Sequence, residues 1–251
     1  MDNSYSVSAA IVTYNSSDKI GNAVRSVTEF TENCTLYISD NGSTDNTLNV
    51  VNAIDDKAVI IKNGDNIGFG AAHNKVLPLL ESRYHAVINP DIIFDYNVIG
   101  DICEFLDSNP DVVMATPKIL NPDGTEQHLP KRRPTLKYLF ARRLHLSKRL
   151  AAEYTRENEV FTEPTEVDFC TGCFFIIRTD VFKKLQGFDD RFFMYFEDTD
   201  LTLRALKYGK VMFLPRSHVT HLWEKSSAKS LKYFLIHLKS AFKFFWKYRK
   251  K

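Results

Sequence analysis

The feature that most constrains the fold of this chain is the regular alternation of strand and helix patterns in its first half. Short apolar runs that predict buried strands are separated by amphipathic stretches that predict helices. Strands joined through helices form right-handed βαβ units, which build a mostly parallel sheet flanked by helices. The sequence therefore predicts an α/β fold. The predicted strands are 7–13, 36–39, 58–62 and 85–88, and the predicted helices are 19–30, 44–54 and 70–82.

The second half of the chain has a less regular pattern but continues with the same kinds of element. Apolar runs predict further strands, and short amphipathic stretches predict helices before a long terminal helix at about 226–250. These strands are 112–116, 174–178 and 211–214, and the short helices are 180–185 and 198–208. We expect one large α/β unit over residues 1–222, followed by a helix within 223–251.

Composition and charge narrow the class of protein. The 251 residues are 44% hydrophobic and 25% charged with a formal net charge of +2, as in ordinary globular proteins. Positive charge is concentrated in two segments without acids, 131–149 and 225–251, which favours phosphates or anionic surfaces over nucleic acid as partners. The sequence shows no signal-peptide pattern and no apolar run of spanning length. The single C-x-x-C at 170–173 predicts buried thiols in a reducing compartment.

Polar clusters follow three of the predicted strands, at residues 13–15, 40–42 and 89–91. Ligands of parallel α/β sheets bind beyond the carboxyl ends of the strands, so we expect these clusters to lie together. Asp40 either stabilises the turn before the next helix or accepts the N3–H of a uracil or thymine ring. Asp91 either makes a turn after Pro90 or holds Mg²⁺ or Mn²⁺, which combine protein carboxylates with substrate phosphates.

Two further segments are candidates for binding phosphate. Gly68 and Gly70 precede a predicted helix, and a helix N-terminus with closely approaching backbone favours phosphate, although glycine-rich turns are common. Arg133 lies in the first basic segment and either clamps a diphosphate or belongs to a solvated surface.

The sharpest motif is Glu197-Asp198-Thr199-Asp200, which follows a run of aromatic residues. Acids in the first turn of a helix interact favourably with the helix dipole, so a purely structural role is one interpretation. The aromatic neighbours would also exclude water from a carboxylate and raise its pKa towards values suited to a general base. We favour the second interpretation, a catalytic role for this acidic motif. His221 is either a structural histidine, the commoner case for a lone histidine, or completes a metal site with Asp91.

The terminal segment combines apolar residues at helical spacing with lysines on another face. Such a helix either packs on the domain or lies on a membrane surface without crossing it. An acid-free lysine face suits anionic lipid headgroups, so we favour the membrane surface and a peripheral location on the inner face of the plasma membrane. The apolar set is Leu231, Phe234, Leu235, Leu238, Phe242, Phe245 and Trp246, and the lysines are Lys232, Lys239, Lys243, Lys247 and Lys250.

Together these motifs resemble those of bacterial family 2 glycosyltransferases with the GT-A fold, a Rossmann-like sheet flanked by helices. More narrowly, they resemble rhamnosyltransferases that build O-antigens and cell-wall polysaccharides. The resemblance runs from the first strand to about His221 and into the basic terminal helix. Its carriers are Val12-Thr13-Tyr14-Asn15, Asp40-Asn41-Gly42-Ser43-Thr44-Asp45, Asn66-Ile67-Gly68-Phe69-Gly70, Asn89-Pro90-Asp91, Asp168-Phe169-Cys170-Thr171-Gly172 and Phe193-Met194-Tyr195-Phe196-Glu197-Asp198-Thr199-Asp200-Leu201.

The resemblance implies roles for individual residues. It divides the main unit into a nucleotide-binding half, 1–118, and an acceptor and catalytic half, 119–222. The implied base is Asp198 with Glu197 supporting it, and the implied metal ligands are Asp91 and His221. Asn89 stands where many relatives carry the first aspartate of their metal motif. The implied nucleotide-sugar-binding residues are Thr13, Tyr14, Asn15, Asp40, Gly68, Asn89 and Arg133.

The activity implied by the resemblance is inverting transfer of L-rhamnose from dTDP-β-L-rhamnose to a lipid-linked saccharide, with Mg²⁺ or Mn²⁺ as cofactor. Two alternatives stay open. One is an enzyme that uses another donor, UDP-galactofuranose or UDP-GlcNAc. The other is a non-catalytic sugar-nucleotide-binding subunit of a polysaccharide-assembly complex.

Overall fold

Parallel strands form the first half of a central mixed sheet in the computed structural model, which describes residues 6–129, 131–138, 147–222 and 231–249. The order β3-β2-β1-β4 has every neighbouring pair parallel, as the sequence predicts. These strands are β1 (Val7–Thr13), β2 (Cys34–Asp40), β3 (Val59–Lys62) and β4 (Tyr84–Ile88). The helices between them are α1 (Ile20–Phe30), α2 (Thr47–Ile54) and α3 (Phe69–Asn74).

The second half adds an antiparallel strand to the same sheet and then returns to parallel pairing. Its strands are β5 (Ile92–Ile93), β6 (Val112–Leu120), β7 (Thr165–Glu166), β8 (Phe174–Arg178) and β9 (Lys210–His221). Its helices are α4 (Val98–Ser108), α5 (Lys148–Thr155), α6 (Thr179–Lys184) and α7 (Glu197–Ala205). β8 runs antiparallel between β4 and β6, and β6 is parallel to β9. The carboxyl ends of β1, β2, β4, β6 and β9 therefore meet at one edge of the sheet.

Burial explains why these residues form the scaffold. All seven residues of β1 are buried, as expected of a strand covered on both faces. On α1 the buried apolar residues Ile20, Ala23, Val24 and Val27 recur at helical spacing and face the sheet. The predicted α/β class, with helices flanking the sheet, is confirmed. Residue 118 lies inside β6, so both proposed halves contribute to one sheet, and the domain division stays a prediction.

Some predicted elements differ from the observed ones. The helix predicted at 70–82 ends at Asn74 and gives way to a short 3₁₀ turn at Leu77–Leu79, because Pro78 has no N–H to continue an α-helix. The strand predicted at 211–214 continues to His221 as β9. It does so across a register shift, where Pro117 pairs with Leu214 but Lys118 pairs with His218.

The terminal helix α8 (Leu231–Tyr248) packs one face on the domain. Ser240, Ala241 and Phe244 are buried, and the Phe244 ring lies 5.2 Å from that of Phe196. The Ser240 hydroxyl donates to the carbonyl of Met194 at 2.8 Å. The helix therefore contacts the aromatic run that precedes the acidic motif.

Two of the predicted lipid-facing lysines on α8 point towards the domain. The Lys243 ammonium donates to the Arg191 carbonyl, and the Lys247 ammonium lies 2.7 Å from the Asp189 carboxylate. Lys250 lies outside the described residues. None of the helices in the described ranges is both long enough and apolar enough to cross a membrane.

Candidate active site

The nucleotide-side candidates meet at the ends of β1 and β2. Thr13 and Asp40 are register partners, and the Asp40 carboxylate accepts the Ser43 N–H at 3.2 Å. The Asn15 side-chain oxygen accepts the Thr44 N–H at 2.8 Å. The structure thus brings Thr13, Asn15 and Asp40 together, while the next residue, Tyr14, is 50% exposed. Their contacts with a nucleoside stay a prediction.

Gly68 has a structural reason to be glycine. Its φ is +94°, and a Cβ there would lie 3.0 Å from the carbonyl carbon of Phe193. The following residue, Phe69, donates its N–H to the Phe193 carbonyl at 3.0 Å. The glycine therefore allows two loops to touch, and this contact already uses the first N–H of α3. Phosphate binding at Gly68 stays a prediction.

Asp91 and His221 face each other across the pairing of β5 with β9. The Asp91 Oδ1 atom lies 3.2 Å from the His221 Nε2 atom. The other ring nitrogen, Nδ1, lies 3.1 Å from the side-chain oxygen of Gln127, whose amide also donates to the His221 carbonyl at 3.3 Å. Gln127 therefore fixes the ring so that Nε2 points at the carboxylate. This is how a metal-binding histidine is usually oriented.

The donor set at this pair fits a divalent cation. Asp91 Oδ1 is buried and has no hydrogen-bond partner, which is a costly state for a carboxylate oxygen unless a cation or water satisfies it. Carboxylate oxygen and imidazole nitrogen are both ligands of Mn²⁺, and Mg²⁺ favours oxygen. Within the described ranges no group of three or more His, Cys, Asp or Glu side chains forms a complete cage. Substrate phosphates and water would have to supply the remaining ligands.

The acidic motif begins α7 and places Asp198 against the loop before β8. The Asp198 Oδ2 atom accepts the Gly172 N–H at 3.1 Å, and Oδ1 accepts the Thr199 N–H at 2.7 Å. Burial raises the pKa of Asp198 above its usual range, although these two N–H donors and the Lys131 charge oppose the shift. The carboxylate is therefore held in a fixed orientation and is more basic than an exposed aspartate.

Glu197 is more deeply buried than its neighbour. Its Oε2 atom has no hydrogen-bond partner. Burial first, and the charge of Asp198 second, raise the pKa of Glu197 well above its usual range. The two acids differ in polar contacts, since Asp198 accepts a backbone N–H, that of Gly172, from outside its own helix turn. The catalytic roles of Asp198 and Glu197 stay predictions.

Asp200 has a structural role. Its side chain is fully buried and pairs with Arg204 at 2.7 Å on the same helix. It also accepts from the Tyr248 hydroxyl at 2.8 Å and from the Lys247 ammonium, both on α8. Asp200 therefore joins the helix of the acidic motif to the terminal helix.

The turn before the acidic motif has an unfavourable backbone conformation. Tyr195 and Phe196 have φ values of 69° and 68°, in the left-handed region that side chains other than Gly and Asn rarely adopt. Two such residues cost about 2–4 kcal/mol in total, so the surrounding packing must hold them. Phe196 is buried against Phe244 and the half-buried Phe245 of α8. The terminal helix thus stabilises the turn that orients Glu197 and Asp198.

A pocket of about 600 Å³ opens in front of these groups. It contains the predicted residues Glu197, Asp198 and His221. Of the basic loop, Lys131 lines the pocket, whereas the Arg133 guanidinium lies over the Tyr248 ring at 5.6 Å. The remaining lining residues are Asn121, Glu126, Gln127, Leu129, Tyr154, Thr155, Phe169, Thr171, Tyr195, Phe196, Thr199 and His237.

Asn89 links the two acidic sites through its backbone. Its N–H donates to the Cys173 carbonyl at 2.8 Å, one residue beyond the Gly172 that holds Asp198. Burial raises the pKa of the Cys173 thiol to about 12, and the charges of Asp91 and Asp198 both add to that shift. Both carboxylates therefore lie close to this cysteine. Cys170 and Cys173 are buried free thiols, as the sequence predicts.

Several contacts at the site were not predicted from the sequence. Gln127 lines the pocket and belongs to an irregular loop with no periodic pattern. Gly172 is part of a quoted motif, but its backbone N–H contact with Asp198 was not predicted. His237 belongs to α8 but lines the pocket, with its ring 5.2 Å from that of Tyr195. His237 could have been noticed in the sequence, because it is a histidine in a terminal helix that otherwise consists mainly of apolar and basic residues.

A family model and two individual proteins that are similar to this chain are all described as glycosyltransferases. The family model described as Glycosyl transferase family 2 matches residues 8–186, which is most of the chain. The N-acetylglucosaminyl-diphospho-decaprenol L-rhamnosyltransferase of Mycobacterium tuberculosis is 26% identical over 229 residues, which cover 84% of this chain and 74% of that protein. The rhamnosyltransferase WbbL of Escherichia coli K12 is 26% identical over 193 residues, covering 72% of this chain and 71% of WbbL.

A solved structure supports the fold. The crystal structure of GalNAc-T7 with UDP, GalNAc and Mn²⁺ superposes with a TM-score of 0.68 at 16% identity. The match covers 89% of this chain and 45% of that one, so this chain spans less than half the length of GalNAc-T7. At this identity the likeness shows the architecture, and the predicted GT-A arrangement agrees with it.

Proposed function

The chain belongs to glycosyl transferase family 2, and from that premise we propose that it transfers L-rhamnose from dTDP-β-L-rhamnose to a lipid-linked saccharide with inversion at the anomeric carbon. It is a glycosyltransferase, and two relatives at 26% identity are named as rhamnosyltransferases. The name of the mycobacterial relative also specifies a lipid-diphosphate-linked N-acetylglucosamine. These names support the choice of donor sugar and of acceptor class.

The observation that carries the catalytic part of the proposal is the setting of Asp198. Its carboxylate lines the pocket, is oriented by the Gly172 N–H, and has a pKa raised by burial. In the proposed reaction Asp198 accepts the proton of an acceptor hydroxyl, whose oxygen attacks the anomeric carbon from the side opposite the nucleotide. The bond from that carbon to the diphosphate breaks, and the configuration inverts. Glu197 stays neutral behind the base.

The donor would bind along the shared edge of β1, β2 and β4. In this proposal Thr13, Asn15 and Asp40 contact the nucleoside, and Asp91 and His221 hold a Mg²⁺ or Mn²⁺ ion. The pairing of Thr13 with Asp40 and the 3.2 Å separation of Asp91 Oδ1 and His221 Nε2 support it. When bound, such an ion neutralises negative charge that develops on the departing diphosphate. Lys131 lies in the pocket with His221, which places a permanent positive charge near the same region.

The acceptor class makes a membrane surface the expected partner. A saccharide on a polyprenyl diphosphate stays with the bilayer, so the enzyme has to work at its cytoplasmic face. The terminal helix supplies the attachment in this proposal, and the protein is peripheral to the membrane.

A donor panel tests the function directly. The full chain is assayed with Mn²⁺ and N-acetylglucosaminyl diphosphate carrying a short alkyl chain, with dTDP-β-L-rhamnose, UDP-galactofuranose or UDP-GlcNAc as donor. We expect transfer only from dTDP-β-L-rhamnose, detected as a deoxyhexose mass increment on the acceptor. Transfer from one of the UDP donors instead would contradict the rhamnose assignment. Binding of dTDP-rhamnose without turnover of any donor would favour the non-catalytic subunit.

A further inference from the structure

The terminal helix α8 exposes a continuous stripe of large apolar side chains. Its members lie three, four or seven residues apart, so they share one side of the helix. Leu231 and Phe242 are 71% and 69% exposed. The buried residues of the helix, Ser240, Ala241 and Phe244, lie on other sides and contact the domain. The exposed stripe consists of Leu231, Leu235, Leu238, Phe242 and Trp246.

Positive charge borders the exposed stripe. Lys232 and Lys239 are exposed one turn from its apolar members, and the Arg249 guanidinium lies over the Trp246 ring at 3.4 Å. The described residues of this segment, 231–249, contain no acid. A large apolar stripe with cations beside it is the pattern of helices that lie in the headgroup region of a membrane.

We propose that the exposed stripe of α8 is the membrane-docking surface of this enzyme, with Lys232, Lys239 and Arg249 contacting anionic lipid headgroups. The inference rests on the proposed function, because a lipid-linked acceptor requires contact with the bilayer. It narrows the sequence-based expectation, which also placed Lys243 and Lys247 against the headgroups. Lys243 and Lys247 instead hold the helix on the domain.

Charge favours a bilayer over a second copy of this chain as the occupant of the stripe. Pairing two α8 helices through their stripes would bring the lysines of both copies together. No acid of the described helix could neutralise them, and like charges at close range are destabilising. Anionic headgroups provide the neutralising charge, and the acyl region accepts the apolar side chains.

The attachment of α8 to the domain fixes the pocket relative to the membrane. Lys247 and Tyr248 pair with Asp200 at the start of the catalytic helix, and Ser240 bonds to Met194. His237, on the same helix, lines the pocket that contains Asp198. Docking of the exposed stripe would therefore place the pocket beside the bilayer, where the saccharide of a lipid-linked acceptor lies.

Vesicle co-sedimentation of the full chain tests the proposal. The probes are vesicles of phosphatidylcholine with one-quarter phosphatidylglycerol, and vesicles of phosphatidylcholine alone. The variant Leu235→Ser/Phe242→Ser/Trp246→Ser removes three partly inserted side chains and should lower the partition coefficient about a hundredfold. The matched control is Leu136→Ser/Val160→Ser, which removes exposed apolar side chains elsewhere and should bind as the parent protein does. Thermal unfolding checks that both variants fold.

Four outcomes decide the proposal. Loss of binding to anionic vesicles by the stripe variant alone supports it. Equal vesicle binding by the stripe variant and the parent protein overturns it, as does an absence of vesicle binding by the parent protein. A concentration-dependent dimer in analytical ultracentrifugation that the stripe variant abolishes also overturns it, and identifies a second copy as the occupant.

The same variants separate this inference from the proposed function. The stripe variant should transfer rhamnose to the short-chain acceptor at the parent rate, because the stripe lies outside the pocket. Asp198→Asn should bind vesicles as the parent protein does and lack transfer. Vesicle binding that follows the prediction, without transfer by the parent protein, would refute only the function. Transfer that follows the prediction, with unchanged binding of the stripe variant, would refute only the docking surface.

Discussion

Two acidic sites lie at the same edge of the sheet, and their surroundings differ in kind. Asp91 faces the imidazole of His221, which Gln127 orients, and one of its oxygens has no hydrogen-bond partner. Glu197 and Asp198 are adjacent carboxyl groups whose pKa values are raised by burial. Asp91 and Asp198 both lie near Cys173. Of the two, it is Asp91 that has an imidazole nitrogen, that of His221, beside its carboxylate oxygen.

The difference shows how the surroundings of a carboxylate can suit it to one of two chemical roles. A carboxylate that faces an imidazole nitrogen can bind a cation, because both groups can offer lone pairs to the same point. A carboxylate that is buried beside another carboxylate instead binds protons more tightly. The first site is suited to hold charge on a leaving group, and the second is suited to remove a proton.

The largest effect is expected from Asp198→Asn, which removes the proton-accepting group. Transfer should fall by about 10³-fold, within the usual range for loss of a general base. Affinity for dTDP should change little, since the proposed reaction places Asp198 beside the acceptor hydroxyl and not at the nucleotide. Initial rates of transfer and calorimetric titration with dTDP measure the two properties. Asp56→Asn, at an exposed position, serves as the control; transfer by Asp198→Asn within a few-fold of the parent protein would contradict the assignment.

A smaller effect, about 10²-fold at a fixed metal concentration, is expected from Asp91→Asn. The loss should be partly recovered by raising the Mn²⁺ concentration, whereas the loss caused by Asp198→Asn should not.

Gln127→Ala should weaken metal affinity about tenfold, because the ring of His221 loses its orientation. Rates measured against Mn²⁺ concentration test both expectations. His218→Ala, on the same strand but exposed and packed on Tyr96, should show the parent metal dependence.

The pH profile of kcat/KM should distinguish the sites further. The proposed base must be ionised, and burial raises the pKa of Asp198, so activity should decline with falling pH at a pH above the ordinary aspartate pKa. Asp91→Asn should lower the rate without moving this acid limb. A limb at the ordinary aspartate pKa, or one displaced by Asp91→Asn, would contradict the division of roles.

The smallest effect is on stability. The pKa of Glu197 is raised in the folded protein, so between its unfolded and folded pKa values the native state holds a proton that the unfolded state has lost. Stability therefore falls as pH rises through this window. Glu197→Gln should remove the fall and raise the free energy of unfolding by about 1 kcal/mol at pH 7, with no gain at pH 4. Urea unfolding at pH 4 and pH 7 measures the free energy of unfolding at each pH. Glu29→Gln, at an exposed position, is the control. An equal increase in the free energy of unfolding at both pH values would argue against a titrating Glu197.

Regular segments of the chain could be predicted from sequence because local pattern determined them. β1 and β8 were predicted at their observed bounds, since fully buried strands are continuous apolar runs. The antiparallel placement of β8 between β4 and β6 has no local signature, because it depends on how distant segments pack. The extension of β9 to His221 was missed because a register shift interrupts its pattern.

The candidate site divides in the same way. Asp91, Asp198 and His221 were proposed from residue type, strand ends and family resemblance, and the structure places them around one region. Gly172 belongs to a motif that carries the family resemblance, but its contact with Asp198 is made by a backbone N–H, which residue type does not reveal. Gln127 contacts the His221 ring from an irregular loop that no periodic pattern marks. Gly68 was proposed for phosphate, yet its contact with the Phe193 backbone is a property of two folded loops.

The attachment of α8 has a practical consequence for protein engineering. Deleting this helix to obtain a more soluble protein would remove Lys247 and Tyr248, two of the groups that pair with Asp200, and uncover Phe196, beside the strained turn that orients Glu197 and Asp198. A truncated enzyme would then lose activity even on a water-soluble acceptor. Such a loss would be mistaken for proof that the enzyme requires a membrane. Point substitutions on the outer side of the helix avoid this confusion, because they leave its inner contacts in place.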